Sequence, residues 1–195
     1  MQLSTWNPLK KGDAGPVRQK FASHVRPTGV ERTFAVDDVI VSKTDTKGII
    51  TYANDVFLDI AGLTEAQVIG APHSIIRHPG MPRAVFKLLW DTVSKGEEIF
   101  AYVLNMAANG DHYWVFAHVT PTFARDGGIV GYHSNRRVPE RNAIAVIEPL
   151  YAQLRAVEEK APDRARGLQE SFAAVVQLLR DKGQSYDEFV FSLTR

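Results

Sequence analysis

Between Glu98 and Arg137 the chain keeps a period of two through EIFAYVLN, HYWVFAHVTPTF and IVGYHSNRR, interrupted only by AANGD and RDGGI. Little except consecutive β-hairpins fits this run. Alternation at that period presents one face of a strand to a core, and Asn109-Gly110 is a strong turn signal because both residues tolerate positive φ. RDGGI supplies the second turn, so three antiparallel strands are expected.

The rest of the chain sorts around them. VIVSKTD and KGIITYAN read as two short strands joined at Thr46–Gly48. Asn54 stands at a helix N-cap before Val56, Phe57 and Ile60. In LTEAQVIG, Thr64 and Gln67 have capping-box spacing and Gly70 is a stop. Pro82 suits the first turn of a longer helix with Val85, Phe86, Leu89, Trp90 and Val93 at helical spacing, and Gly96 ends it. Two strands, several short helices and three strands predict an α+β domain over residues 37–138: a five-stranded antiparallel sheet with helices on one face.

Residues 1–36 are broken by Pro8, Gly12, Gly15, Pro16, Pro27 and Gly29 and read as an N-terminal arm, with a short docking helix around Val17–Val25 as the alternative. Residues 139–195 read as a helical extension. Ile144, Ile147, Leu150, Tyr151, Leu154 and Val157 form one apolar stripe, with Pro149 expected to interrupt it. Asp163 caps a second helix over 163–181, closed by Lys182-Gly183, and a third runs over 185–193. Such amphipathic helices need a partner: the sheet, a second subunit or another protein. The stripe exceeds what a domain core requires, so a homodimer held by these helices is expected.

ITYANDVF followed by NGDHYW in a middle strand resembles a PAS sensory domain. HSIIRHPGMPRAVFKLLW (73–90), NGDHYWV (109–115) and IEPLY (147–151) narrow the resemblance to the flavin-binding PAS domain of the bacterial aerotaxis-receptor family. That resemblance implies a noncovalent FAD whose redox state reports electron transport or oxygen to a signalling partner. It implies that Arg77 and His78 support flavin binding, that Trp90 is an aromatic near the cofactor, and that Asn105 reads the polar edge of the flavin ring. The pattern departs at Gly80, where the family usually has an acidic residue, and at Ile99, where it commonly has tryptophan.

The same residues admit a chemical reading. A flavin ring is a flat apolar body with an amide-like edge, and its pocket needs apolar walls with a few convergent polar groups. Tyr113, Val115 and Ala117 share one strand face and Ser134 and Arg136 another, while Asn105 carries both a donor and an acceptor. These positions equally describe the core face of a sheet. Arg77 has the fork that pairs with a diphosphate, and His78 beside it can meet a ribose or phosphate. Both equally suit a surface loop.

The exclusions are broad. The chain lacks cysteine, which removes disulfides, thiolate metal sites, thiol nucleophiles and flavin–thiol photochemistry. Its six histidines show no metal-site spacing and read as satisfied or surface residues. No nucleophile elbow, P-loop or acidic pair indicates an enzyme. With 23 Lys+Arg against 22 Asp+Glu, the formal charge is +1 and nucleic-acid binding is not expected. No run has the length of a membrane span or a signal peptide, so a cytoplasmic protein is expected. The leading expectation is a redox or oxygen sensor acting through a homodimer or a signalling protein such as a chemoreceptor or histidine kinase. The alternatives are a cofactor-free interaction module and a PAS sensor for haem or another small ligand.

Overall fold

The computed structural model of the chain describes residues 25–194. Strands β1 (Ile40–Thr44) and β2 (Ile50–Ala53) precede helices α1 (Asp55–Ala61) and α2 (Glu65–Val68). A single 3-10 turn at His73–Ile76 leads to α3 (Arg83–Val93), and β3 (Ile99–Met106), β4 (His112–Phe123) and β5 (Ile129–Arg137) follow. Helices α4 (Arg141–Lys160), α5 (Arg164–Lys182) and α6 (Tyr186–Ser192) form the extension. All strand pairs are antiparallel, in the order β2-β1-β5-β4-β3.

Local chemistry sets the element ends. In the β1–β2 turn, Asp45 Oδ1 accepts the N–H groups of Lys47 and Ile49, and Gly48 takes φ 77°. Asn54 Oδ1 caps α1 at Phe57 N, and Thr64 with Gln67 forms the capping box of α2. Asp163 accepts from Ala165 and Arg166 at the start of α5. Helix α4 runs unbroken through Pro149, contrary to the expected interruption. Pro149 and Ala145, whose carbonyl loses its partner there, both face solvent, where water can satisfy that carbonyl.

The sheet is covered on both sides. The helices between β2 and β3 lie on one face, and the extension covers the other. There Tyr151 donates its hydroxyl to the Tyr102 carbonyl at 2.7 Å and packs on Trp114, while Phe191 of α6 meets Phe100 and Phe116. Ile144, Ile147, Tyr151 and Leu154 are all buried within the chain. Four of the six stripe residues thus bury within the chain, and Leu150 and Val157 are partly buried. Helix α5 packs against both α3 and α4.

Residues 25–36, the described part of the expected arm, pass over the β3–β4 turn and the first residue of β4. Thr28 N donates to Gly110 O, Arg32 N to His112 O, and Glu31 pairs with Arg141 of α4. The docking helix considered at 17–25 falls outside the described residues except for Val25. Among the described residues no helix is long and apolar enough to cross a membrane.

Candidate functional site

A cavity of about 270 Å³ lies between the sheet and α3, just under the roughly 300–1,000 Å³ usual for small-molecule sites. Its floor comes from β1, β3, β4 and β5, and α3 supplies Phe86, Leu89, Trp90 and Val93. The β1–β2 turn closes one side. A Cβ on Gly48 would lie 3.2 Å from the Trp90 ring, so this turn approaches the indole as closely as glycine permits. Trp90 is 39% exposed and sits edge-on to Tyr132 at 5.3 Å.

Polar groups converge on the floor because the strand order brings them together. Ser42 pairs with Ser134 across β1 and β5, and Ala117 pairs with Arg136 across β4 and β5. Arg136, only 3% exposed, donates from Nη2 to Ser42 Oγ at 2.7 Å and to His73 Nε2 at 2.6 Å. Burial, and then the charge of Arg136, pushes the His73 pKa down to about 3, so the imidazole is neutral and accepts. Burial also lowers Arg136 to about 10, which leaves it charged at neutral pH. Among the described residues no Asp or Glu lines the cavity.

Three of the lining residues carry a buried polar atom with no hydrogen-bond partner among the described residues: Asn105 Nδ2, Ser134 Oγ and Arg136 Nη1. A buried donor left unpaired costs about 1–3 kcal/mol. Three in one apolar cavity describe a surface complementary to a ligand rich in acceptors.

The Arg-His-Pro run reaches the site at Arg77. Arg77 pairs with Asn105 in an antiparallel bridge, which carries the end of the 3-10 turn onto β3. The Arg77 guanidinium lies 4.2 Å over the Phe86 ring and donates to the Met81 carbonyl. Burial lowers its pKa to about 10.

Of the residues singled out from sequence, Arg77, Trp90, Asn105, Ala117, Ser134 and Arg136 line the cavity. His78, Tyr113 and Val115 do not. Arg77 has extended backbone (φ −74°, ψ 122°), and successive side chains of extended chain point to opposite sides. His78 therefore faces a separate groove beside Leu104 and Trp114, edge-on to His112, with its Nδ1 accepting the Gly80 N–H. A Cβ on Gly80 would come within 2.9 Å of that nitrogen, so this histidine position depends on the glycine. Tyr113 and Val115 share the sheet face of Ala117 but are wholly buried in the apolar core. Alternation assigns a face, not a place along the strand. Ile99 packs with Val93, Val119 and Tyr132 at the far end of the cavity wall.

Sequence reasoning passed over Ser42 and His73. His73 is a satisfied histidine, as expected, yet its partner lies 63 residues away and no local pattern announces it. Lys47, in the β1–β2 turn, is a further cation on the wall. Among the described residues no cluster of three or more His, Asp or Glu can hold a metal ion.

Residues 50–136 match the family described as PAS fold. The chain is 42% identical over 136 residues to the aerotaxis receptor of Escherichia coli, covering 70% of this chain and 27% of that protein. It is 27% identical over 99 residues to a nitrogen fixation regulatory protein of Klebsiella pneumoniae, covering 51% of this chain and 20% of that one. The chain thus spans about a quarter of the length of these curated relatives. Among solved structures, a light-oxygen-voltage domain superposes with a TM-score of 0.50 at 20% identity, covering 57% of this chain and 84% of that one.

Proposed function

This chain carries a PAS sensory domain of the aerotaxis-receptor type, and from that premise we propose that it binds FAD noncovalently and relays the flavin's redox state to a signalling partner. The observation that carries this reading is the convergence of Asn105, Ser134 and Arg136 as unpaired buried donors on one apolar cavity. The polar edge of an isoalloxazine ring is rich in acceptors, and its flat body suits a wall of Phe86, Leu89 and Trp90. Arg77 and Lys47 are the wall cations available to the diphosphate. Bound flavin supplies reversible electron uptake with a change of charge and hydrogen bonding at the ring. Arg136 stands against any negative charge there, because no carboxylate among the described residues of the wall neutralises it.

The residues favour flavin over haem. An axial histidine needs a free imidazole lone pair, and among the described residues the one histidine in the wall, His73, has its Nε2 committed to Arg136 and Ser42. In this reading the partner that receives the signal is a chemoreceptor or a histidine kinase.

An absorbance spectrum of the purified chain, followed by heat release and identification of the chromophore, tests the proposal. Released FAD is the expected result. A haem spectrum, or a colourless protein that takes up no FAD at micromolar concentration, overturns it.

A further inference from the structure

Helix α3 has two roles in this fold, and one side chain joins them. One of its faces forms the cavity wall through Phe86, Leu89 and Trp90. Its N-terminus follows Pro82, which supplies no side-chain cap, so its first backbone N–H groups need an outside acceptor. That acceptor is Glu158, near the end of α4. Glu158 Oε1 accepts the Ala84 N–H at 3.1 Å, and Oε2 accepts from Arg83 Nε at 2.9 Å. The same carboxylate accepts the hydroxyl of Ser171 on α5 at 2.9 Å.

The contact is dry and close. The Glu158 side chain is 0% exposed and Ser171 is fully buried. Burial works against the charge, but Arg83, the Ala84 N–H and Ser171 together hold its carboxyl below the usual range. Arg83 Nη1 also donates to the Arg164 carbonyl at the start of α5. A Cβ on Gly167 would lie 2.7 Å from the Glu158 carbonyl oxygen, so α5 approaches this point as only glycine allows.

We propose that Glu158 couples the cavity to the helical extension, so that occupancy of the cavity and the packing of α5 are set together. Hydrogen bonds of this kind weaken steeply with stretching and misalignment, so the clamp does not deform gradually. When the cavity wall moves, α3 either carries α4 and α5 with it or lets go of them. The coupling is reciprocal: whatever the ligand does to α5, release of α5 does to ligand affinity by the same factor.

The ligand half of this inference rests on the flavin reading, and the test separates the two. Hydrogen exchange of residues 164–182 is measured in the full chain with and without FAD, and in Phe86→Ala without FAD, each in a wild-type and a Glu158→Gln background. FAD is expected to slow exchange in α5 about fivefold or more, and Phe86→Ala to speed it comparably. Both responses are expected to shrink with Glu158→Gln, which loses the charged pair with Arg83 and keeps a single acceptor oxygen. If that variant does not fold by circular dichroism, Ser171→Ala takes its place, with both responses reduced. Exchange in α5 that ignores Phe86→Ala, or that responds equally without the clamp, overturns the coupling. Failure of FAD to bind overturns the flavin reading alone, and the Phe86 arm still decides this inference.

Discussion

Arg136 Nη2 lies 2.6 Å from His73 Nε2, and that contact requires the imidazole to be neutral for the arginine to be held. Their separation of 63 residues makes the pair a product of the tertiary fold.

His73 has a folded pKa of about 3 against an ordinary value of 6.5, so below pH 6.5 the unfolded chain takes up a proton that the folded chain refuses. Stability is fully present above pH 6.5 and falls as pH drops toward 3, by a total on the order of 2–4 kcal/mol after allowing for partial exposure. Urea unfolding midpoints at pH 7 and pH 4 check this. The fall is expected to be smaller in His73→Gln, and an equal fall in both proteins removes His73 as its source.

Arg136→Ala and Arg77→Ala are each expected to weaken FAD binding about ten- to a hundredfold, the equivalent of about 1.5–3 kcal/mol for a lost charged hydrogen bond. His78→Ala is expected to change affinity by less than about tenfold, because its side chain leaves the cavity for the groove beside Trp114. Fluorescence titration of the three variants with FAD decides between this order and one in which His78 matters as much as Arg77.

Ser134→Ala separates stability from binding. Its hydroxyl is buried without a partner, so removing it is expected to stabilise the ligand-free protein by about 1 kcal/mol while weakening FAD binding. Thermal unfolding without cofactor and a binding titration give the two signs. A destabilised ligand-free variant would mean that the hydroxyl is already satisfied within the protein.

Leu154→Ala is expected to cost about 2–5 kcal/mol, since Leu154 is 4% exposed inside the chain. Its sedimentation mass is expected to match that of the wild type, because the stripe packs on its own sheet. A dimer that dissociates on this change would make the helices a subunit contact.

Local signals determined much of this protein. The period of two from Glu98 to Arg137, the Asn54 cap, the Thr64–Gln67 box and the Asp163 cap each depend on hydrogen bonds or side-chain alternation within a few residues, and such signals survive in a linear reading. The PAS resemblance rested on runs of the same local kind. The fold alone decided that β5 lies between β1 and β4, which sets Ser42 beside Ser134 and brings Arg136 to His73. It also decided that Arg77 and His78 part to opposite sides, that α4 takes the second face of the sheet, and that Glu158 caps α3. These outcomes depend on which apolar faces bury one another and which buried polar groups find partners. That competition is settled among elements far apart in the chain, so no short stretch of sequence records its result.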